Sequence, residues 1–207
     1  MKLTTAALAT VGVVAGGSLL SAVGVSDPTP QASASAGADM YEVDGLHSSV
    51  VFRVGYMGVS NFYGRFNEVS GTYMLDFDNP SQSSIDITID TASIDTANEG
   101  RDKHLRGPDF FSAKEFPTVS FTGTSFEAVD ADTIRVTGDM TVRGRTQEVT
   151  VDIDWIGDRP DPRGGYRSGI DTTLTINRSD FGVSYGVDVG VLGDKTDIMI
   201  GLTGMKQ

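Results

Sequence analysis

The 207 residues hold two histidines, His47 and His104, and no cysteine, so few groups could do chemistry near neutral pH. His47 sits beside Asp44 and Ser48, and His104 among Arg101, Asp102 and Arg106. A catalytic zinc usually takes three protein ligands, which two histidines and a carboxylate could supply on paper. The spacing argues otherwise, because no His-Glu-x-x-His pattern occurs. His47, just ahead of a strand, reads as the partner in a turn-stabilising hydrogen bond. Arg101 and His104 are three apart and share a helix face. Two readings of them stand: pairing with each other to anchor a flap, or contact with the head group of a ligand. Triads can be assembled from so many Ser and Asp residues, but nothing fixes an oxyanion hole. Asp76 and Asp78 lack the glycine and terminal Glu of a calcium loop. Asn177-Arg178-Ser179 spells a glycosylation acceptor, relevant only in a eukaryotic secretory route.

The absence of cysteine excludes disulfides, thiolate metal sites, a thiol nucleophile and a lipoprotein anchor. A net charge of −12, with acids spread along the whole chain, argues against nucleic acid as a partner. Residues 1–38 have the layout of a secretory leader and linker. Lys2 precedes an apolar run from Ala6 to Val25, and a Pro/Ser/Ala stretch ends in small residues at Ala34, Ala36 and Ala38. Cleavage after Ala38 would start the mature chain at Asp39, in a periplasmic or extracellular compartment. The rival is an uncleaved anchor, since the apolar run is about long enough to span a bilayer.

The elements that must position any site are strands. From Tyr41 onward the pattern has period two: Val50, Phe52, Val54 and Tyr56 alternate with Val51, Arg53 and Gly55, and Ile85, Ile87 and Ile89 alternate with Asp86, Thr88 and Asp90. The same reading covers Tyr73 to Phe77, Val119 to Phe126, Ile134 to Met140, Val149 to Trp155, Ile170 to Ile176 and Ile198 to Leu202, for about eight strands. Turn chemistry separates them at Asp78–Ser81, Asp130–Asp132, Arg143–Arg145 and, as a longer loop, Asp158–Gly165. One stretch breaks the pattern. Asn98 and Glu99 can open a helix that Gly107 and Pro108 close, and Phe110 and Phe111 then need an apolar surface before Pro117 returns the chain to strand. A flap across the end of a β-structure has this form.

Long antiparallel strands with one helical insertion make an all-β domain over residues 39–207, and full closure is the most complete remedy for exposed edges. The expected fold is an eight-stranded antiparallel barrel with a short helical insertion. Such a barrel is wide enough to be filled by side chains or to hold one slender ligand. The many Val and Ile residues and 25 glycines lean toward a cavity.

Five stretches carry a family resemblance: Tyr41–Val54, Gly58–Phe66, Arg101–Phe121, Val136–Thr150 and the Arg178–Gly182 run Arg-Ser-Asp-Phe-Gly. In that order they resemble the YceI family, the polyisoprenoid-binding proteins of bacterial export compartments. The resemblance covers the whole chain after the leader. It implies a lipocalin-like barrel around an elongated apolar pocket that holds a long isoprenoid, of quinone or polyprenyl type, without performing chemistry on it. The ligand is this lipid or another long-chain lipid, with no other cofactor. Relatives are known to pair, so a homodimer and passing contact with a membrane or membrane protein stay open. The family commonly places a His after the first long strand, in a pattern like F-x-V-x-H-x-G, where this chain has Tyr56. A phenol donates and accepts through one oxygen and stays neutral near pH 7, which puts the head-group preference in doubt.

On this reading the lumen candidates are Val50, Phe52, Val54 and Tyr56 from one strand, Ile85, Ile87 and Ile89 from another, and Phe121, with Phe110 and Phe111 closing one end. His47, Arg101 and His104 are the head-group or flap candidates. A register error of one residue would turn a whole strand outward. Two alternatives remain: a hydrolase or isomerase acting in the same cavity through His47, Asp44 and Asp102, and a filled barrel serving as a stress-response scaffold.

Overall fold

The computed structural model describes residues 39–207; the leader, its cleavage point and the anchor alternative lie outside the described residues. The chain runs β1 (Tyr41–Val43), β2 (Ser49–Tyr56), β3 (Ser60–Phe66), β4 (Val69–Met74), β5 (Ser84–Asp90), β6 (Ile94–Asp95), α1 (Glu99–Leu105), β7 (Thr118–Ala128), β8 (Thr133–Val142), β9 (Arg145–Pro160), β10 (Tyr166–Asn177) and β11 (Leu192–Lys206). These form one closed, antiparallel, eight-stranded barrel, because two of its strands are interrupted and the two-residue β6 continues the line of β5. β1 and β2 lie end to end along β11, from Tyr41 opposite Lys206 to Tyr56 opposite Leu192. β3 and β4 likewise form one broken strand, with β3 on β2 and β4 on β1. β5, β7, β8, β9 and β10 follow in order back to β11. The eight expected strands match these eight positions. β1, β3 and the two-residue β6, which pairs with the end of β3, were not distinguished in the sequence.

Most strands run longer than expected, β11 at both ends, and two turns differ for a local reason. The strand expected at Tyr73–Phe77 ends at Met74, because the Asp76 carboxylate accepts hydrogen bonds from the amides of Asp78 and Asn79 and turns the chain. The loop expected at Asp158–Gly165 shrinks to Asp161–Gly165, since β9 stays paired through Pro160 opposite Tyr166. Gly164 and Gly165 supply the positive φ angles of that tight return. The helix begins as expected, with the Asn98 side chain accepting from the Arg101 amide at 2.9 Å.

The two ends of the barrel differ. At one end Tyr41 stacks on Tyr73, Trp155 meets Tyr41 edge-on, and Phe77 meets Trp155 edge-on. Tyr73 is fully buried and shares a 2.7 Å hydrogen bond with Ser168. Burial pushes its hydroxyl pKa up to about 12, so it stays a neutral partner. Gly204 on β11 makes this closed end possible: a Cβ there would lie 2.5 Å from the Tyr73 hydroxyl and 2.7 Å from Tyr41 Cβ.

Gly204→Val is therefore expected to destabilise the barrel by about 1–3 kcal/mol through overpacking. Urea unfolding checks this; a midpoint equal to that of the parent would mean the aromatic end is loosely packed.

Candidate functional site

The other end is open. From the aromatic plug toward the mouth, the lumen holds a cavity of about 550 Å³, within the roughly 300–1,000 Å³ of small-molecule sites. The lumen is thus not filled by its own side chains. The parity read from the sequence sets the lining: Val50, Phe52, Val54 and Tyr56 face in from β2, and Ile85, Ile87 and Ile89 from β5. Phe121 faces in from β7. Alternate residues face out, as Arg53 shows by bonding Asp197 on the outer face. Room for the large rings comes from two glycines. A Cβ on Gly64 would lie 2.3 Å from Phe52 Cζ, and one on Gly138 2.6 Å from Phe121 Cζ.

The insertion after β6 closes part of the mouth. Phe110 is buried against Tyr185, with ring centroids 5.0 Å apart, and Phe111 meets Phe66 edge-on at 5.6 Å. Asp102, at the base of α1, accepts from the Thr96 amide at 2.9 Å and from its hydroxyl. Those bonds fasten the helix to the end of β6. Arg106 adds bonds to the carbonyls of Ala92 and Ile94 at 2.7 and 2.8 Å.

The flap candidates resolve differently from one another. Arg101 and His104 both border the cavity, but they do not pair with each other. Two groups that each carry or can carry positive charge gain nothing from contact, and each has its own partner. Arg101 donates to the Thr96 hydroxyl and carbonyl at 2.8 and 2.7 Å, with its guanidinium 4.1 Å over the Phe62 ring. His104 bonds the Asp109 carboxylate through Nε2 at 2.9 Å and packs edge-on against Phe110 and Tyr185. His47 takes the turn-stabilising role read from its neighbours and not the head-group role, since it does not line the cavity. It sits at the closed end, in the turn between β1 and β2, with Nδ1 2.7 Å from the Asp44 carboxylate. Asp44 also accepts from the Leu46 amide at 3.1 Å and from Arg167 of β10. The set Asp44, His47 and Asp102 therefore does not meet, since Asp102 lies at the mouth.

Several lining residues were not among the lumen candidates. Phe62 and Phe66 alternate on β3, a period that short glycine-bearing strands hide. Arg178 is buried and gives its three donor arms to the carbonyls of Gly193, Val183 and Tyr185 at 2.7–2.8 Å. Burial lowers its pKa, yet three accepting carbonyls hold the charged form in place. The Thr196 hydroxyl, on the lining of β11, is buried without a hydrogen-bond partner. Gly182-Val183-Ser184-Tyr185-Gly186 matches the G-x-S-x-G string of hydrolase nucleophile elbows, which the sequence reading passed over. That string needs a strand before it and a helix after it. Here it follows a 3-10 turn and opens an irregular loop, with Ser184 exposed.

The family model that matches this chain is the YceI-like domain, over residues 41–203. The chain belongs to the YceI-like family. It is 38% identical over 175 residues to Protein YceI of Escherichia coli O17:K52:H18, covering 84% of this chain and 90% of that one. It is 37% identical over 169 residues to a UPF0312 protein of Pseudomonas aeruginosa, covering 81% and 87%. Among solved structures, Burkholderia cenocepacia BcnA aligns with a TM-score of 0.69 at 27% identity, over 78% of this chain and 98% of that one. A polyisoprenoid-binding domain from Saccharophagus degradans aligns with a TM-score of 0.64 at 15% identity, over 81% and 98%. At that identity the likeness is one of fold.

The Asp44 cluster carries a pH dependence. The hydrogen bond from Arg167, then that from His47, holds the Asp44 carboxyl down at about 2. A depressed carboxylate pKa stabilises the fold above the ordinary value near 3.8, and the contribution fades as pH falls toward 2. Asp44→Asn is expected to unfold at lower urea than the parent at pH 7, with the gap narrowing between pH 4 and 2. A gap constant with pH would mean that the turn geometry, not the charge, is what Asp44 supplies.

Proposed function

We propose that this chain is an exported carrier or store for a long isoprenoid lipid, of quinone or polyprenyl type, held in the barrel without chemical change. The observation that carries the reading is the apolar cavity of about 550 Å³, open at one end beneath a flap. Its wall is mostly Val, Ile, Leu, Phe and Met, and burying an isoprenoid tail there recovers roughly 25 cal/mol per Å² of apolar surface. Family membership supports it, as does the polyisoprenoid binding named for the Saccharophagus degradans domain of the same fold. Export, to a periplasmic or extracellular compartment, rests on the leader pattern of residues 1–38. The head group would rest near the mouth, where Tyr56 and the unpartnered Thr196 hydroxyl offer hydrogen bonds. Catalysis gains no support from the residues once considered for it, which lie at opposite ends of the barrel.

Native mass spectrometry on protein recovered after export, without detergent, tests the reading. One added mass per chain that dissociates as an isoprenoid is the expected outcome; a bare mass that stays bare after incubation with quinones and polyprenyl lipids would defeat it. Val54→Trp and Ile87→Trp, which push an indole into the lumen, are expected to abolish uptake of a fluorescent apolar probe while the barrel still folds. Unchanged saturable uptake in both variants would place the ligand elsewhere.

A further inference from the structure

Six of the twelve exposed large apolar side chains among the described residues lie in two adjoining segments. Tyr56, Met57 and Val59 project from the β2–β3 hairpin, and Tyr185, Val189 and Val191 from the loop before β11. Val59 and Val189 are 81% and 77% exposed. The two segments adjoin, since the Met57 amide donates to the Val191 carbonyl at 2.9 Å and Tyr56 lies opposite Leu192. Three of the six, Tyr56, Tyr185 and Val191, also line the cavity, so the rim and the lumen are one continuous apolar surface. The hairpin turn is itself unusual. Met57 and Gly58 both adopt positive φ, 51° and 68°, in the three-residue loop between Tyr56 and Ser60, a conformation that ordinarily favours Gly, Asn or Asp. A large apolar residue there gains nothing from the backbone and nothing from water.

Charge is distributed to match. No charged residue occurs from Gly55 to Asn61, and Asp188 is the single one between Gly182 and Gly193. The turns of the other end carry Asp76, Asp78, Asp130, Asp132, Asp158 and Asp161. With one charge in the two segments, little charge desolvation opposes their entry into an apolar layer.

We infer that the rim formed by the Tyr56–Val59 hairpin and the Tyr185–Val191 loop is a docking surface for a lipid bilayer, seating the mouth against the membrane so that cargo passes without crossing water. The inference rests on the carrier reading, because a bilayer is where an isoprenoid resides and the rim is continuous with the cavity that would receive it. Apolar tips held by backbone hydrogen bonds can enter the interfacial layer without losing much conformational freedom, and each buried tip adds to affinity in proportion to its area.

The test uses the full chain and vesicles of brominated phosphatidylcholine containing no isoprenoid, so docking is read separately from cargo. The native Trp155 is buried at the closed end and serves as an internal reference. Val59→Trp and Val189→Trp are expected to give a blue-shifted emission that brominated chains quench. Leu46→Trp, at a site 87% exposed beside the closed end, is expected to show neither. Met57→Asp with Val189→Asp should weaken vesicle binding about tenfold or more, the loss of buried apolar side chains, and leave the native-mass-spectrometric cargo unchanged. No quenching at positions 59 and 189, or equal quenching at 46, would overturn the inference. So would a rim emission already blue-shifted without lipid in a chain that sediments as a dimer, which would make the rim an interface between copies. Loss of cargo with docking intact would instead count against the carrier reading alone.

Discussion

The hydrogen-bond ladder along β11 closes this molecule, and the cavity exists only because that ladder closes. β11 pairs with β10 from Asn177 opposite Lys195 to Arg167 opposite Met205, and its other edge takes both β2 and β1. The last strand of the chain thus holds the first. A sheet of this width left open would present two unpaired edges, and a lumen lined with Val and Ile would face water. The β9–β10 ladder stops early, at Asp171 opposite Asp154. Beyond it the wall is tied by side chains, with the Thr172 hydroxyl donating to the Asp152 carbonyl and Gln147 to the Asp180 carbonyl.

Closure alone does not decide whether a barrel is hollow. Here the decision is made by volume at each end. Stacked Tyr41 and Tyr73 with Trp155 and Phe77 fill one end, helped by the missing side chain of Gly204. Toward the mouth the inward positions are mostly branched aliphatics too small to meet across the lumen. Two of the rings there, Phe52 and Phe121, lie back against the wall over Gly64 and Gly138. Packing density in ordinary interiors leaves few voids larger than water, so an apolar cavity of about 550 Å³ is a feature with a use.

The mouth is held by arginines that donate to backbone carbonyls. Arg178, Arg101 and Arg106 each bond carbonyls of neighbouring segments, and Arg143 reaches the carbonyls of Gly182 and Pro108, joining the β8–β9 turn to the loop and to the flap. Irregular loops leave carbonyls without partners, and a guanidinium with several donors in a fixed fork satisfies two or three at once. This explains why cationic side chains border an apolar cavity without marking an acid–base site.

Period-two alternation determined the strands, their inward faces and the all-β class, because a side chain's direction on a strand depends on parity alone. The placing of the eight strand candidates on the cavity wall follows from that, as Val50, Phe52, Val54 and Tyr56 illustrate, whereas Phe110 and Phe111 reach it from the flap. The cap at Asn98 and the breakers Gly107 and Pro108 likewise fixed the helix, since capping is local. The family stretches added a lumen that composition only suggested. What the sequence left open depends on residues far apart in the chain. Asp44 and Arg167 meet across 123 positions, so His47 could not be assigned to the closed end. Arg101 and His104 lie on one turn of helix, but Thr96 and Asp109 decide whom they bind. The hollow itself, and the apolar rim shared by a hairpin at residue 57 and a loop at residue 189, are properties of packing and closure, which only the tertiary structure brings together.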